Sequence, residues 1–145
     1  MRTSINPGET VFLDTSYAIA LSSPSDRHHS RALEIAIELE AANATLVTTR
    51  GILLEIGNAL SRKKYREAAI ELLDSLEADA SVEIEPMTDV LYDDGFELYR
   101  SRPDKEWGLI DCCSFTVMTQ RNLLKALTAD LHFEQAGFQA LLRTD

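Results

Sequence analysis

Thr10-Val11-Phe12-Leu13-Asp14-Thr15-Ser16 is the stretch that decides the fold. Val11, Phe12 and Leu13 form a short continuous apolar run, which suits a strand buried on both faces. Asp14 ends that run, and Ser16 to Leu21 read as a short helix stopped by Ser22-Ser23-Pro24.

The same alternation continues outward. Asp26 to Ala42 carries Leu33, Ile37 and Ala41 at helical spacing, with Ala36 between them, and Ala44 to Val47 reads as a second strand. Ile52 to Leu60 and Glu67 to Leu76 are predicted helices separated by the charged stretch Ser61 to Arg66. Val82 to Ile84 is a third strand ending at Pro86, and Thr88 is the expected N-cap of a helix reaching Tyr99. Ile110 to Gln120 is again helical, Ala126 to Thr128 a strand, and Phe138 to Leu142 a last strand. Strands that alternate with helices or helix pairs predict an α/β sandwich with a mainly parallel sheet. There is no internal repeat, low-complexity tract or domain-sized linker, so residues 1–145 read as a single domain.

Composition agrees with a globular chain: 45% hydrophobic and 26% charged residues among 145. No apolar run approaches the roughly 20 residues that span a bilayer. Met1 to Thr10 is polar and lacks the apolar centre of a signal peptide, so the expected location is the cytoplasm. Cys112 and Cys113 are adjacent, pointing about 100° apart on a helix. They read as two small buried residues in a reducing compartment. The 24 acidic and 14 basic residues give a net charge of -10, the opposite of a protein that binds nucleic acid by bulk charge.

With so many acids, their placement carries the information. Glu34, Glu38, Glu40, Glu67, Glu71 and Asp74 lie among polar neighbours on solvated helix faces. Four others do not. Asp14 closes the first strand, and Glu55 is the lone charge in Ile52–Leu60. Asp111 is the lone charge between Trp107 and Gln120, on a helix apolar almost all round, and Asp130 follows the strand Ala126–Thr128. A buried carboxylate needs a partner or a proton, and those apolar runs hold no matching Lys or Arg. Ligands of open α/β sheets bind beyond the carboxyl ends of the strands, where all four acids can meet. Hard oxygen ligands without His or Cys suit Mg²⁺ or Mn²⁺. Taken singly, each acid also suits a helix cap or a dipole partner.

At these residues the chain resembles the PIN-domain nucleases. Val11-Phe12-Leu13-Asp14-Thr15-Ser16 is similar to their opening motif, and Leu54-Glu55-Ile56-Gly57-Asn58-Ala59-Leu60 to their second. Leu109-Ile110-Asp111-Cys112-Cys113-Ser114-Phe115 is similar to the third, although Ile110 stands where the family often has Thr. Leu127-Thr128-Ala129-Asp130-Leu131-His132-Phe133, continued by Gly137-Phe138, is similar to the fourth. The segment Asp104 to Leu142 resembles a bacterial subgroup related to the VapC toxins. The resemblance implies a three-layer α/β/α sandwich and a Mg²⁺- or Mn²⁺-dependent endoribonuclease that hydrolyses RNA. It implies Asp14, Glu55, Asp111 and Asp130 as catalytic and metal-holding residues. It also implies a homodimer, and a small antitoxin whose basic tail enters the acidic site.

Around the quartet, Thr15, Ser16 and Thr128 carry hydroxyls that orient carboxylates, contact a phosphate or form turn bonds. Arg62, Lys63, Lys64 and Arg66 form the densest basic cluster, either a grip on an RNA backbone or a solvated connector. Trp107 reads as a packing residue more than a base-stacking one, and His132 as a local hydrogen-bonding residue. His28 and His29, being adjacent, cannot chelate one metal from a helix. Asp104 and Glu106 are candidates for an acidic rim. A non-catalytic PIN-fold module that binds RNA or protein is one alternative; clustered carboxylates argue against it. A receiver-like domain or a phosphatase using Asp14 is another. The first lacks its paired acid and its Lys, and the second its Asp at position 16, which is Ser.

Overall fold

The computed structural model describes residues 5–143. Residues 1–4, part of the polar opening segment, and 144–145 lie outside the described residues. Five strands form one sheet: β1 (Thr10–Leu13), β2 (Thr45–Thr49), β3 (Val82–Glu85), β4 (Lys125–Leu127) and β5 (Gln139–Ala140). Their order is β3-β2-β1-β4-β5 and every neighbouring pair is parallel. A receiver-like domain is expected to follow another strand order, 2-1-3-4-5.

Among the described residues, seven helices connect them: α1 (Thr15–Ser22), α2 (His29–Ala41), α3 (Arg50–Ala59), α4 (Arg66–Ala78), α5 (Asp89–Ser101), α6 (Leu109–Gln120) and α7 (Leu131–Gln135). Chain order runs from β1 outward through β2 to β3, then returns past β1 to β4 and β5. Right-handed crossovers therefore put α1 to α4 on one face and α5 to α7 on the other, which gives the expected three layers. β1 is central, and its Val11, Phe12 and Leu13 are buried, as their unbroken apolar run predicts. No helix among the described residues is long and apolar enough to cross a membrane.

The differences from the sequence reading have local causes. β2 runs on through Thr48 and Thr49, because Thr48 Oγ1 donates to the Leu13 carbonyl at 2.8 Å across the sheet. Thr49 then caps α3, its hydroxyl accepting from Ile52 N at 3.1 Å, so that helix begins at Arg50. α2 starts at His29 because the Asp26 carboxylate accepts from His28 N at 2.8 Å and holds a turn. Its buried stripe is Ala32, Ile35 and Leu39, whereas Ile37 is 72% exposed. α7 has five residues, too few to show a period, and is anchored by buried Phe133.

Packing between α5 and α6 is close enough that a Cβ at Gly95 would lie 2.5 Å from Cys113 Sγ. This contact sets α6, and with it Asp111, against α5. Phe115 of α6 meets Phe133 edge-on at 4.9 Å and Trp107 at 5.1 Å, so one aromatic cluster joins α6 to α7.

Candidate active site

The strand order reverses at β1, which has β2 on one side and β4 on the other. The crevice beyond the carboxyl ends of these strands is where α/β sheets bind ligands. Asp14 follows β1 as the residue before α1, and Asp130 is the N-cap of α7 just past β4. Glu55 projects from α3 and Asp111 from the first turn of α6. All four carboxylates line one open crevice of about 520 Å³, with Thr15, Ser16 and Asn58 beside them. Among the described residues, no Lys or Arg lines it.

The hydroxyls beside the acids turn inward onto them. Thr128 Oγ1 donates to Asp14 Oδ2 at 2.7 Å, and Ser16 Oγ reaches the same oxygen at 3.3 Å. Thr128 Oγ1 also accepts from Asp130 N, and Ser16 Oγ from Ala129 N, each at 3.0 Å. Thr15 Oγ1 donates to Glu55 Oε1 at 2.8 Å, tying α1 to α3. Of the roles open to these hydroxyls, orienting carboxylates is the one this geometry displays.

Asp14 is 5% exposed, and burial pushes its carboxyl up to about 6. The Thr128 hydroxyl and the Thr15 backbone N–H pull the value back, while the charges of Glu55 and Asp111 push it up. Burial likewise raises Glu55, opposed by the Thr15 hydroxyl and reinforced by Asp111 and Asp130. The crevice thus concentrates negative charge in a place that resists it.

Asp111 has two further contacts. Its Oδ2 accepts from Gly108 N at 3.0 Å, capping α6, and lies 3.1 Å from His132 Nδ1. His132 sits between two acids, because its ring nitrogen is also 3.6 Å from Asp130 Oδ1 and its backbone N–H donates to that oxygen at 2.9 Å. Asp111, Asp130 and His132 offer ligand atoms that all lie within 4.8 Å of one another. The local hydrogen-bonding role expected of His132 is therefore extended across the site to Asp111. The all-oxygen donor set gains a nitrogen at its edge. That contact was hidden in the sequence, since 21 residues separate the pair. Asn58 was legible: three residues after Glu55, it shares a helix face with it.

Other candidates lie apart from the crevice lining. Arg62, Lys63 and Lys64 are exposed on the connector between α3 and α4. Arg66 is internally engaged, its guanidinium donating twice to the Ser61 carbonyl at 2.6 and 3.2 Å. Trp107 is buried, its Nε1 donating to Gln135 Oε1 at 3.0 Å, as its packing role requires. Asp104 pairs with Arg102, and the neighbouring guanidinium holds its carboxyl below the usual range. Cys112 and Cys113 are free and buried, and burial raises both thiols.

The donor set fits a hard divalent cation. Four carboxylates meet without a balancing Lys or Arg, and two of them are held above their ordinary range. A dication would remove the mutual repulsion that burial amplifies.

Comparison with known proteins agrees with this geometry. The chain is 26% identical over 128 residues to the 23S rRNA-specific endonuclease VapC20 of Mycobacterium tuberculosis, covering 88% of this chain and 95% of that one. The crystal structure of that VapC20, described as a Sarcin-Ricin loop cleaving toxin, superposes with a TM-score of 0.78 over the same shares. VapBC2 from Rickettsia felis, crystallised bound to a DNA fragment from its promoter, matches in fold. There the TM-score is 0.64 at 18% identity, over 90% of this chain and 96% of that one. The PIN domain model matches residues 11–139, nearly the whole described chain, and this protein belongs to the PIN domain family.

Proposed function

We propose that the chain is a metal-dependent endoribonuclease that hydrolyses RNA phosphodiester bonds, and that residues 1–145 act as one catalytic domain. The observation that carries this reading is the convergence of Asp14, Glu55, Asp111 and Asp130 on one crevice that no cationic side chain lines among the described residues. The similarity to an rRNA endonuclease over 88% of the chain supports RNA as substrate. The four carboxylates are the residues that would hold Mg²⁺ or Mn²⁺. The chemistry such an ion supplies is neutralisation of charge on the phosphate oxygens and acidification of a water.

The chain's own residues prepare that site. Thr128 and Ser16 fix the rotamer of Asp14, and Thr15 fixes that of Glu55. Gly108 N–H and His132 hold Asp111, while the backbone of α7 holds Asp130. Such preorganisation removes the cost of ordering carboxylates at the moment of reaction. Arg62, Lys63 and Lys64, exposed beyond the carboxyl end of α3, grip the RNA backbone, while Arg66 holds their connector through the Ser61 carbonyl.

Within the same reading, the protein is the toxin of a toxin–antitoxin pair, and the structural likeness to VapBC2 is consistent with it. A small partner with a basic tail complements a crevice that lacks cations in a chain of net charge -10. The exposed apolar side chains of Ile37, Leu54 and Ile70 offer surface to that partner and to a second copy in a homodimer. The buried free thiols suit a cytoplasmic protein.

The test is cleavage of a mixed single-stranded RNA by the purified protein. Degradation with Mg²⁺ or Mn²⁺ that stops on adding EDTA is expected. Equal cleavage in EDTA would overturn the metal mechanism, and no cleavage under any condition would overturn the nuclease reading.

A further inference from the structure

A second cleft opens beside the acidic crevice, on the other side of α6. It has a volume of about 600 Å³, and its lining includes Phe96, Tyr99, Arg100, Arg102, Lys105, Glu106 and Trp107. Three cations on so small an area stand out in a chain with 14 basic and 24 acidic residues. Other basic side chains are tied to acids: Arg31 to Glu34 and Glu38, Arg50 to Glu77, Arg121 to Glu83 and Glu85, Arg143 to Glu134. Of the three, Arg102 is paired with Asp104 at 3.0 Å and Arg100 has only a long contact with Glu97 at 3.5 Å, while Lys105 has no ion pair among the described residues.

The cations are interleaved with rings. Phe96 and Tyr99 lie one helical turn apart on α5, ring centroids 6.2 Å from each other, and Tyr99 is 47% exposed. Arg100 lies 4.5 Å over the Phe96 ring and Arg102 5.1 Å over Trp107, so each guanidinium sits against a π face. The exposed Tyr99 ring and the flat guanidinium groups are stacking surfaces for unpaired bases, and Lys105 offers a point charge to phosphate.

The cleft is linked to the carboxylates through neighbouring side chains. Pro103, Lys105 and Glu106 also line a smaller hollow together with Asp104, His132 and Gln135, and His132 Nδ1 is 3.1 Å from Asp111 Oδ2. A strand leaving the acidic crevice past His132 would reach the 103–106 segment and, beyond it, the α5 rings.

We infer that this cleft binds the nucleotides flanking the scissile phosphate of a single-stranded RNA, with bases stacked on Tyr99 and phosphates on Arg100 and Lys105. The inference rests on the nuclease reading above. It gives that acidic protein a way to hold a polyanion: the carboxylates face the reacting phosphate, while cations a few residues away hold its neighbours.

The probe is a short fluorescein-labelled single-stranded RNA of mixed sequence. It is bound to the full chain in EDTA, so that binding is read without cleavage, by anisotropy across a salt series. Tyr99→Ala should weaken binding about tenfold through lost stacking, and Tyr99→Phe should retain wild-type affinity. Arg100→Gln with Lys105→Gln should lower the slope of log K against log salt by about 1.4, at ~0.7 per phosphate contact on a single strand. RNA carrying 4-thiouridine should crosslink to the 96–107 segment. Thermal melts establish that each variant is folded. Folded variants with unchanged affinity and slope would overturn the cleft, as would Tyr99→Ala acting only by splitting a dimer in light scattering. Cleavage by the wild type is scored separately. A wild type that cleaves while the cleft variants bind normally sinks the cleft alone; one that binds through the cleft without cleaving sinks the nuclease reading alone.

Discussion

Thr128 Oγ1 donates to Asp14 Oδ2 at 2.7 Å, joining the ends of β4 and β1 across 114 residues of sequence. The hydroxyl also accepts from Asp130 N at 3.0 Å, so one side chain serves two of the four acids. Thr128→Val keeps the shape and deletes both bonds. It should destabilise the protein by about 1–3 kcal/mol, because Asp14 is left buried with fewer partners. The Thr128 bond pulls the Asp14 carboxyl down, so its loss should raise that carboxyl further. Urea unfolding and an NMR titration of the Asp14 carboxyl carbon, both in EDTA, measure the two effects. A variant as stable as wild type with an unmoved titration would show the bond to be idle.

The raised Asp14 carboxyl has a consequence for stability against pH. Its value moves from 3.8 to about 6 on folding, so between those limits the native state holds more protons than the unfolded chain. Stability from this group is greatest below 3.8 and is lost as pH rises through about 6. Glu55, raised for the same reason, adds a contribution of the same sign. Carboxyls held low by cations, such as Glu9 beside Lys125, act in the opposite sense. The measurable quantity is therefore the difference between wild type and Asp14→Asn. In EDTA, Asp14→Asn should gain on wild type as pH rises across that window and hold a constant lead above it. A lead that shrinks with rising pH would contradict the sign.

Much of this site was legible in the sequence because burial and charge conflict there. A lone Asp after Val11-Phe12-Leu13, or a lone Glu among the apolar residues of α3, contradicts its surroundings, and such contradictions mark functional sites. The parallel sheet was legible through the unbroken apolar strands and the helices between them. Contacts across space were not. Whether the hydroxyls of Thr15, Ser16 and Thr128 turn toward carboxylates or solvent depends on how β1, β4 and α3 are juxtaposed. His132 reaching Asp111 depends on where α7 settles against α6. The cleft beside α5 joins residues that read separately as helix surface and loop. The outward turn of Ile37 was equally hidden, because α2 carries two apolar stripes and only packing selects between them.

The connector after α3 permits a narrower test than its composition suggested. Arg66 holds the Ser61 carbonyl, so replacing it would disturb the turn as well as the charge. Arg62→Gln, Lys63→Gln and Lys64→Gln together leave that turn intact. This triple variant should weaken RNA binding across sequences and flatten its salt dependence, while melting within about 0.5 kcal/mol of wild type, as surface substitutions do. An unchanged salt slope in an anisotropy titration would return the cluster to being a solvated connector.

Asp111 combines a helix cap with a site carboxylate, and two substitutions separate the roles. Its Oδ2 accepts from Gly108 N at 3.0 Å while its charge pushes up both Asp14 and Glu55. Asp111→Asn keeps an oxygen for the Gly108 N–H and removes the charge. Asp111→Ala removes both. In EDTA, Asp111→Ala should lose roughly 0.5–2 kcal/mol, the ordinary cost of a lost cap. Asp111→Asn should be at least as stable as wild type, since relief of repulsion offsets the weaker interaction with the helix dipole, itself about 0.3–1 kcal/mol. Adding Mn²⁺ should raise the melting temperature of wild type, because an ion bound only by the native state stabilises it by mass action. Neither variant should respond as strongly, and both should fail to cleave RNA. Four melts for the variants and two for wild type decide between the roles. If Asp111→Asn is less stable than wild type in EDTA and gains as much from Mn²⁺, Asp111 is a cap alone and leaves the proposed metal site.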